Sequence, residues 1–251
     1  NWGRHKINDG YQIGKEPQKS HFNSKDKMLG VSWYQSATFF TGNRLTVGFD
    51  YQHFGGESWN KVLATGEHTP GVDKQMDEFA GYVDFRQDIS SWFSLDAGIR
   101  VDHHSHVGTE WIPQGGLAFH LPKNAELKAM VSKGYRNPTI REMYMFPPAN
   151  PELKPEKLIN YELSYSQRLL EGALSYGVSL YYINGDNLIM SNGLFPPLNI
   201  NSGEIENWGV ETNIGYHINS HWNVNANYSW LHMENPVLAA PEHKLYAGAD
   251  Y

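Results

Sequence analysis

Along residues 91–102 the side chains alternate without a slip, with Phe93, Leu95, Ala97, Ile99 and Val101 on one face and Ser94, Asp96, Gly98, Arg100 and Asp102 on the other. A two-residue period marks an extended strand, because successive Cβ atoms point to opposite faces. The same rule separates Trp208, Val210, Thr212, Ile214, Tyr216 and Ile218 from Gly209, Glu211, Asn213, Gly215 and His217. It recurs where Trp222, Val224, Ala226, Tyr228 and Trp230 oppose Asn223, Asn225, Asn227 and Ser229, and where Ile159, Tyr161, Leu163 and Tyr165 oppose Asn160, Glu162, Ser164 and Ser166. Extended over the chain, the pattern predicts twelve strands near 1–13, 27–40, 44–57, 74–88, 91–105, 109–121, 125–136, 157–170, 172–189, 202–218, 220–233 and 241–251. Most exceed the ~5–6 residues usual in soluble sheets and meet the ~9–11 that cross a bilayer at a tilt.

The connections alternate as regularly as the side chains. Thr41-Gly42-Asn43, Ile89-Ser90, Pro122-Lys123-Asn124, Glu171-Gly172 and Asn219-Ser220 read as tight turns, whereas 14–26, 58–73, 137–156 and 190–201 read as long loops. Short turns at one end and long loops at the other are what an antiparallel membrane barrel requires, because its closure satisfies every backbone group within lipid. Large aromatics edge three of the short turns: Phe39 and Phe40, Trp92 and Phe93, and Trp222. They predict an interfacial girdle on the periplasmic side. On the faces assigned to lipid, the strongly polar members Lys133, His53 and Gln167 all fall near strand ends. A Lys or Arg at the midplane would cost about 2–4 kcal/mol there, and roughly 0–1 near the interface. A soluble β-sandwich or lipocalin-like barrel is the competing architecture on periodicity alone; strand length, loop asymmetry and aromatic placement favour the membrane barrel.

Composition narrows the chemistry further. The 251 residues carry Lys+Arg 20 against Asp+Glu 27, a formal charge of -7 that argues against a dedicated nucleic-acid binder. Cys 0 removes disulfides, thiolate metal sites and cysteine nucleophiles together. No apolar run approaches the ~18 residues of a membrane-spanning helix, and the first thirty residues show no basic-then-apolar leader. A mean hydropathy of -0.56 does not oppose a membrane barrel, since its lumen-facing side chains are free to be polar. No linker or low-complexity tract divides 1–251, so a single β-barrel segment is expected.

One ordered set of motifs points to a family. Ser132-Lys133-Gly134-Tyr135-Arg136-Asn137-Pro138-Thr139 is followed by Arg141-Glu142-Met143-Tyr144, then Asn150-Pro151-Glu152-Leu153-Lys154-Pro155-Glu156, then Asn160-Tyr161-Glu162-Leu163-Ser164-Tyr165. This series resembles the barrel signature of TonB-dependent outer-membrane receptors. Gly98-Ile99-Arg100-Val101-Asp102, Tyr182-Ile183-Asn184, Asn207-Trp208-Gly209-Val210-Glu211 and Ala240-Pro241-Glu242-His243-Lys244-Leu245 extend the resemblance over about 150 residues. Physically, Pro138 biases Asn137 out of the helical region and ends a strand, while Pro147, Pro148, Pro151 and Pro155 stiffen a loop that cannot join a ladder.

The resemblance implies a 22-stranded barrel plugged by an N-terminal domain, of which this chain would be an internal, all-β, antiparallel transmembrane segment of about 12 strands without the plug. It implies the outer membrane of a Gram-negative bacterium, contact with outer-membrane lipid, and energy-coupled import of an iron chelate, cobalamin or copper. The TonB complex would act through the plug of the full-length protein. No cofactor is implied. A barrel enzyme or adhesin, or a soluble β-barrel binding module, is the alternative.

Candidate site residues cluster at the long-loop end. Asp102-His103-His104-Ser105-His106 places His104 and His106 on the lumen-facing parity of Asp102. In a flat strand such i, i+2 side chains sit about 6.5–7 Å apart, too far to share one ion without a bend. Met143 and Met145 offer thioethers to copper(I), which makes His104, His106, Met143 and Met145 the candidate metal ligands. His104, His106, Arg141, Tyr144, Met145 and Phe146 form the candidate cargo-binding set. Packing of the methionines against the wall or plug is the plainer expectation. Ser105, His104 and Asp102 supply the residue types of a hydrolytic triad, but as neighbours along one strand they do not predict a converged one.

Overall fold

The computed structural model describes residues 2–7, 19–145, 148–236 and 240–251. Twelve strands follow one another in chain order: β1 Trp2–Ile7, β2 Ser20–Ala37, β3 Asn43–Val62, β4 His68–Ser90, β5 Phe93–His104, β6 Gly108–Leu121, β7 Ala125–Arg136, β8 Glu156–Leu169, β9 Leu174–Ser191, β10 Asn199–His217, β11 Asn223–Met233 and β12 His243–Asp250. Each pairs antiparallel with its sequence neighbours in a single sheet ordered β1 to β12. Among the described residues β1 and β12 are its two edges, so the sheet is open.

The faces are sorted as the two-residue period predicts. Ile99 lies between Val83 of β4 and Pro113 of β6, and Leu163 between Ala129 of β7 and Leu180 of β9. This face is apolar yet open, Ile99 being 42% and Leu163 44% exposed. On the other face of β5, Asp102 and His104 are each 1% exposed. Exposed apolar and buried ionisable side chains invert the arrangement of a soluble domain, and they suit a wall with hydrocarbon outside and water or protein inside. The soluble-sandwich alternative fails on this point, because Ile99 and Leu163 lie in no core.

At the short-turn end the chain closes on itself tightly. Gly42 adopts φ 74°, and its carbonyl accepts from the Asp88 amide at 2.8 Å, tying that turn to β4. Lys123 and Asn124 both take positive φ, the requirement of a two-residue turn whose twist matches its flanking strands. The expected aromatic girdle is present: Trp92, Phe93 and Phe119 pack with ring centroids 5.1–6.3 Å apart, and Phe39, Phe40 and Trp222 are exposed.

The other end differs from expectation in extent. The stretch 58–73 is mostly strand: β3 runs to Val62 and β4 starts at His68, with a register shift between Glu57 and Trp59. Likewise β2 begins at Ser20, and only 192–198 separate β9 from β10. These extensions stand in water, so both faces are polar and the apolar alternation that reveals a strand is lost while its ladder persists. The loop after β7 remains, spanning 137–155. The expected first strand is confirmed over Trp2–Ile7; 8–13 lie outside the described residues.

One break in the wall follows from a single residue. The β6–β7 ladder runs only from Leu121↔Ala125 to Gln114↔Ser132, although β6 stays paired with β5 as far as Gly108. Pro113 follows next on β6 and has no amide to donate. Above the split, Glu110 receives both Lys133, at 3.1 Å, and Lys157. The one polar outward residue expected at this strand end, Lys133, is thereby paired.

Candidate functional site

The loop 137–155 folds back over the inner face of the wall rather than standing away from it. Its first turn is set by Thr139 and Glu142: the Thr139 amide and hydroxyl donate to Glu142 Oε2 at 2.8 and 2.9 Å, and the Glu142 amide returns a bond to Thr139 Oγ1 at 3.1 Å. This reciprocal pattern is a capping box, and it opens a single helical turn over Arg141–Met145. Arg136, the last residue of β7, holds the loop at both ends. Its guanidinium donates to Glu156 at 2.6 and 2.8 Å and to Glu142 at 2.9 and 3.0 Å. Two forked carboxylate pairs on one planar donor fix geometry as well as charge. The Glu142 carboxyl is pushed up by burial but pulled further down by Arg136 and Thr139, and it lies below its ordinary value.

Met143 is the apolar anchor. It is fully buried, packed on Met76 of β4 and on Leu153, with Phe54, Ile140, Tyr144 and Ile189 around them. The far side is pinned by asparagines of β10. Asn199 donates to the Glu142 carbonyl at 3.0 Å and its own carbonyl accepts from Asn150 at 2.8 Å; Asn201 brackets Lys154, accepting from its amide at 2.8 Å and donating to its carbonyl at 2.9 Å. The Thr139-x-x-Glu142 spacing was available in the sequence. Met76, Asn199 and Asn201 carry no local signal, since each matters only through a partner distant along the chain.

Beneath the loop, between it and β1–β5, lies a cavity of about 1630 Å³. Arg141 and Met145 line it from above; Phe22, Phe54, Arg100 and His104 line it from the wall. Arg100 bridges Asp50 and Asp102, the latter at 3.1 Å, and Tyr135 and Asn137 both donate to Glu78 at 3.1 and 3.2 Å. Arg100 lies on the inward face as its parity with Asp102 predicts, and Asp84, across from Gly98 on that face, accepts from Gln114 at 3.0 Å.

The predicted site residues are gathered at this end but not into one cluster. His104 Nδ1 accepts from the His106 and Val107 amides at 3.1 and 3.3 Å, and its Nε2 is buried without a partner. His106 turns to the loop, donating from Nε2 to the Pro151 carbonyl at 2.8 Å, with the Tyr144 hydroxyl 3.3 Å from the same nitrogen. Tyr144 also receives the Lys74 ammonium over its ring at 4.8 Å, and burial first, then nearby Glu152, raises its hydroxyl pKa. Phe146 lies outside the described residues. Met143 serves packing. No three His, Asp or Glu side chains converge on a common point among the described residues. The Ser105 hydroxyl accepts from the Asp77 amide at 3.0 Å, so with His104 Nδ1 occupied by backbone, Ser105, His104 and Asp102 form no relay.

Comparison with known proteins fits this geometry. The whole chain, residues 1–251, matches the family described as TonB dependent receptor-like, beta-barrel. It is 26% identical over 170 residues to the Vitamin B12 transporter BtuB of Photobacterium profundum, covering 64% of this chain and 27% of that protein. It is 25% identical over 211 residues to an iron-regulated outer membrane virulence protein of Vibrio cholerae, covering 69% of this chain and 31% of the other. The chain thus spans less than a third of the length of these relatives. Among solved structures, the copper transporter OprC superposes with a TM-score of 0.74 at 14% identity over 92% of this chain and 41% of its own. The siderophore receptor PirA from Acinetobacter baumannii does so at 0.72 and 15% identity, over 94% and 41%. The inverted faces, the two unlike ends and the match along the full length agree: the chain belongs to the β-barrel region of the TonB-dependent receptors, in the outer membrane of a Gram-negative bacterium.

Proposed function

We propose that the chain forms wall and mouth of a receptor that captures a scarce solute outside the cell and imports it, with energy delivered by the TonB complex through the plug of the full-length protein. The observation that carries this reading is the cavity under loop 137–145, whose roof and wall would both touch a bound solute. Relatives named for vitamin B12 transport and iron regulation, and folds named for siderophores and copper, supply the cargo classes.

Size and donor chemistry favour a large chelate or cobalamin over a bare copper ion. The cavity exceeds the roughly 300–1,000 Å³ of ordinary small-molecule sites, whereas His106 and Met143 are engaged elsewhere and His104 offers a single nitrogen, Nε2. Arg141 and Met145 are the contacts we assign to cargo, with Tyr144 beside them. Among the described residues no constellation supports catalysis, and the similar proteins include a vitamin B12 transporter, a copper transporter and a siderophore receptor.

Uptake of cobalamin, of a ferric siderophore and of copper is the test, measured in cells lacking the gene and complemented with the full-length protein. One cargo should depend on both the gene and TonB, and Met145→Ala with Arg141→Ala should weaken its binding while barrel assembly is retained. Uptake of every cargo unaffected by the deletion would overturn the reading.

A further inference from the structure

The floor of the cavity carries hydrogen-bonding groups that the protein itself leaves unmet. Glu78 of β4 and His104 of β5 stand directly opposite each other on the ladder, and both line the cavity. Asp102, two residues back on β5, lies beside Glu78. Asp102 and His104 are each 1% exposed, yet Asp102 Oδ1 and His104 Nε2 have no hydrogen-bond partner among the described residues. Buried polar atoms are nearly always paired, so two orphans on one face of one strand call for an explanation.

The position of the proton on His104 follows from its other nitrogen. Nδ1 accepts from the His106 and Val107 amides and so presents a lone pair. The neutral ring then holds its proton on Nε2, which makes that atom a donor rather than a metal ligand. Asp102 is tied through Oδ2 to Arg100 at 3.1 Å, and Arg100 also serves Asp50, while Glu78 accepts from Tyr135 and Asn137. With one guanidinium among Asp50, Glu78 and Asp102, the floor keeps an excess of acceptors beside one unmet donor.

The polar arms a ligand can offer answer that arrangement differently. A carboxylate or catecholate oxygen suits Nε2 but is repelled by Glu78 and Asp102. An ammonium suits the two acids and leaves Nε2 facing another donor. A hydroxyl has a single hydrogen for two carboxylates. A primary carboxamide has two N–H donors and a carbonyl acceptor on one planar group, which matches two acceptors and one donor.

Taking the cavity as the cargo site, we propose that Glu78, Asp102 and His104 read a primary carboxamide of the cargo, its two N–H groups donating to Glu78 and Asp102 and its oxygen accepting from His104 Nε2. Because Asp102 and His104 are buried, the amide reaches them as Glu78 gives up its bonds to Tyr135 and Asn137. Cobalamin carries such amides around its ring, so the floor selects it over anionic iron chelates.

The test measures equilibrium affinity of the full-length receptor at about pH 7, where carboxylates are ionised. The probes are cyanocobalamin, its singly hydrolysed derivatives, in each of which one carboxamide has become a carboxylate, and a ferric catecholate siderophore. At least one hydrolysed derivative should bind wild type about 100-fold more weakly than cyanocobalamin, because its new charge faces two carboxylates. Glu78→Gln, whose side-chain amide donates as well as accepts, should narrow that gap to about tenfold. His104→Asn keeps an acceptor for the two backbone amides and removes the distal donor, and it should weaken cyanocobalamin about tenfold. Should either variant assemble poorly, the ligand series on wild type decides alone. Equal affinity of wild type for cyanocobalamin and every hydrolysed derivative overturns the carboxamide assignment, as does an unchanged gap in Glu78→Gln. Binding of the ferric siderophore without cyanocobalamin also overturns it and leaves the import reading standing, whereas binding of no cargo at all removes both.

Discussion

The wall and the loop that covers it are stabilised by opposite means. In β4–β9 the outward side chains gain from hydrocarbon and the backbone from ladders that continue through the wall apart from the β6–β7 split above Gln114, so a residue's contribution is fixed by parity and depth. The described residues of loop 137–155 form no ladder, and stability comes from one buried methionine, one arginine shared by two carboxylates, and asparagines reaching across from β10. The difference teaches where a substitution will be lethal to assembly and where it will only change the mouth.

The largest effect should come from the wall. Ile99→Arg and Leu163→Arg each place a charge in hydrocarbon at about 2–4 kcal/mol, and heat-modifiable barrel should be lost from the outer-membrane fraction. Ser164→Arg, on the inward parity, should leave most of it. Ser94 is a poorer control than its parity suggests, because its hydroxyl donates to Asp88 at 2.8 Å and lies 3.0 Å from His120. Equal loss from Ile99→Arg and Ser164→Arg would mean the faces are misassigned.

That prediction rests on what the sequence made legible. The wall repeats one rule every second residue, so β5 and β8 were recoverable from Phe93–Asp102 and Ile159–Ser166 alone. The loop repeats nothing. Its proline content showed that it could not be strand, and Thr139-x-x-Glu142 contained its first turn, but Met143 finding Met76 depends on folding across four strands. The same limit explains the histidines: parity placed His104 and His106 on one face, while the tight turn at 105–107 turned His104 to the backbone and His106 to Pro151.

The next largest effect should sharpen the contrast from the loop's side. Met143→Ala removes the anchor at about 2 kcal/mol, the low end for a buried methionine because a loop can settle into the space. Proteolysis within 137–155 should accelerate while barrel assembly stays intact. Loss of the barrel itself would show that loop and wall form one cooperative unit. Asn199→Ala should follow the same direction at about 1 kcal/mol, the net value of a hydrogen bond, read as faster amide exchange at Asn150 and Met143.

Acid should separate the two regions with the smallest energy. Glu142 in the docked loop binds its proton less readily than in the released loop, where a glutamate titrates near pH 4.3. Its contribution is therefore complete above that value and disappears as pH falls through the lower docked pKa. The magnitude stays below about 1 kcal/mol, since Arg136 is 44% exposed and keeps Glu156 when Glu142 is neutralised. Loop protease sensitivity should be flat from pH 8 to 5 and rise below about 4, with Glu142→Gln removing most of that rise. Apolar lipid-facing residues such as Ile99 and Leu163 carry no ionisable group, so assembled barrel should persist through the same range. Acid opening that survives Glu142→Gln undiminished would place the latch elsewhere than on the Arg136–Glu142 pair.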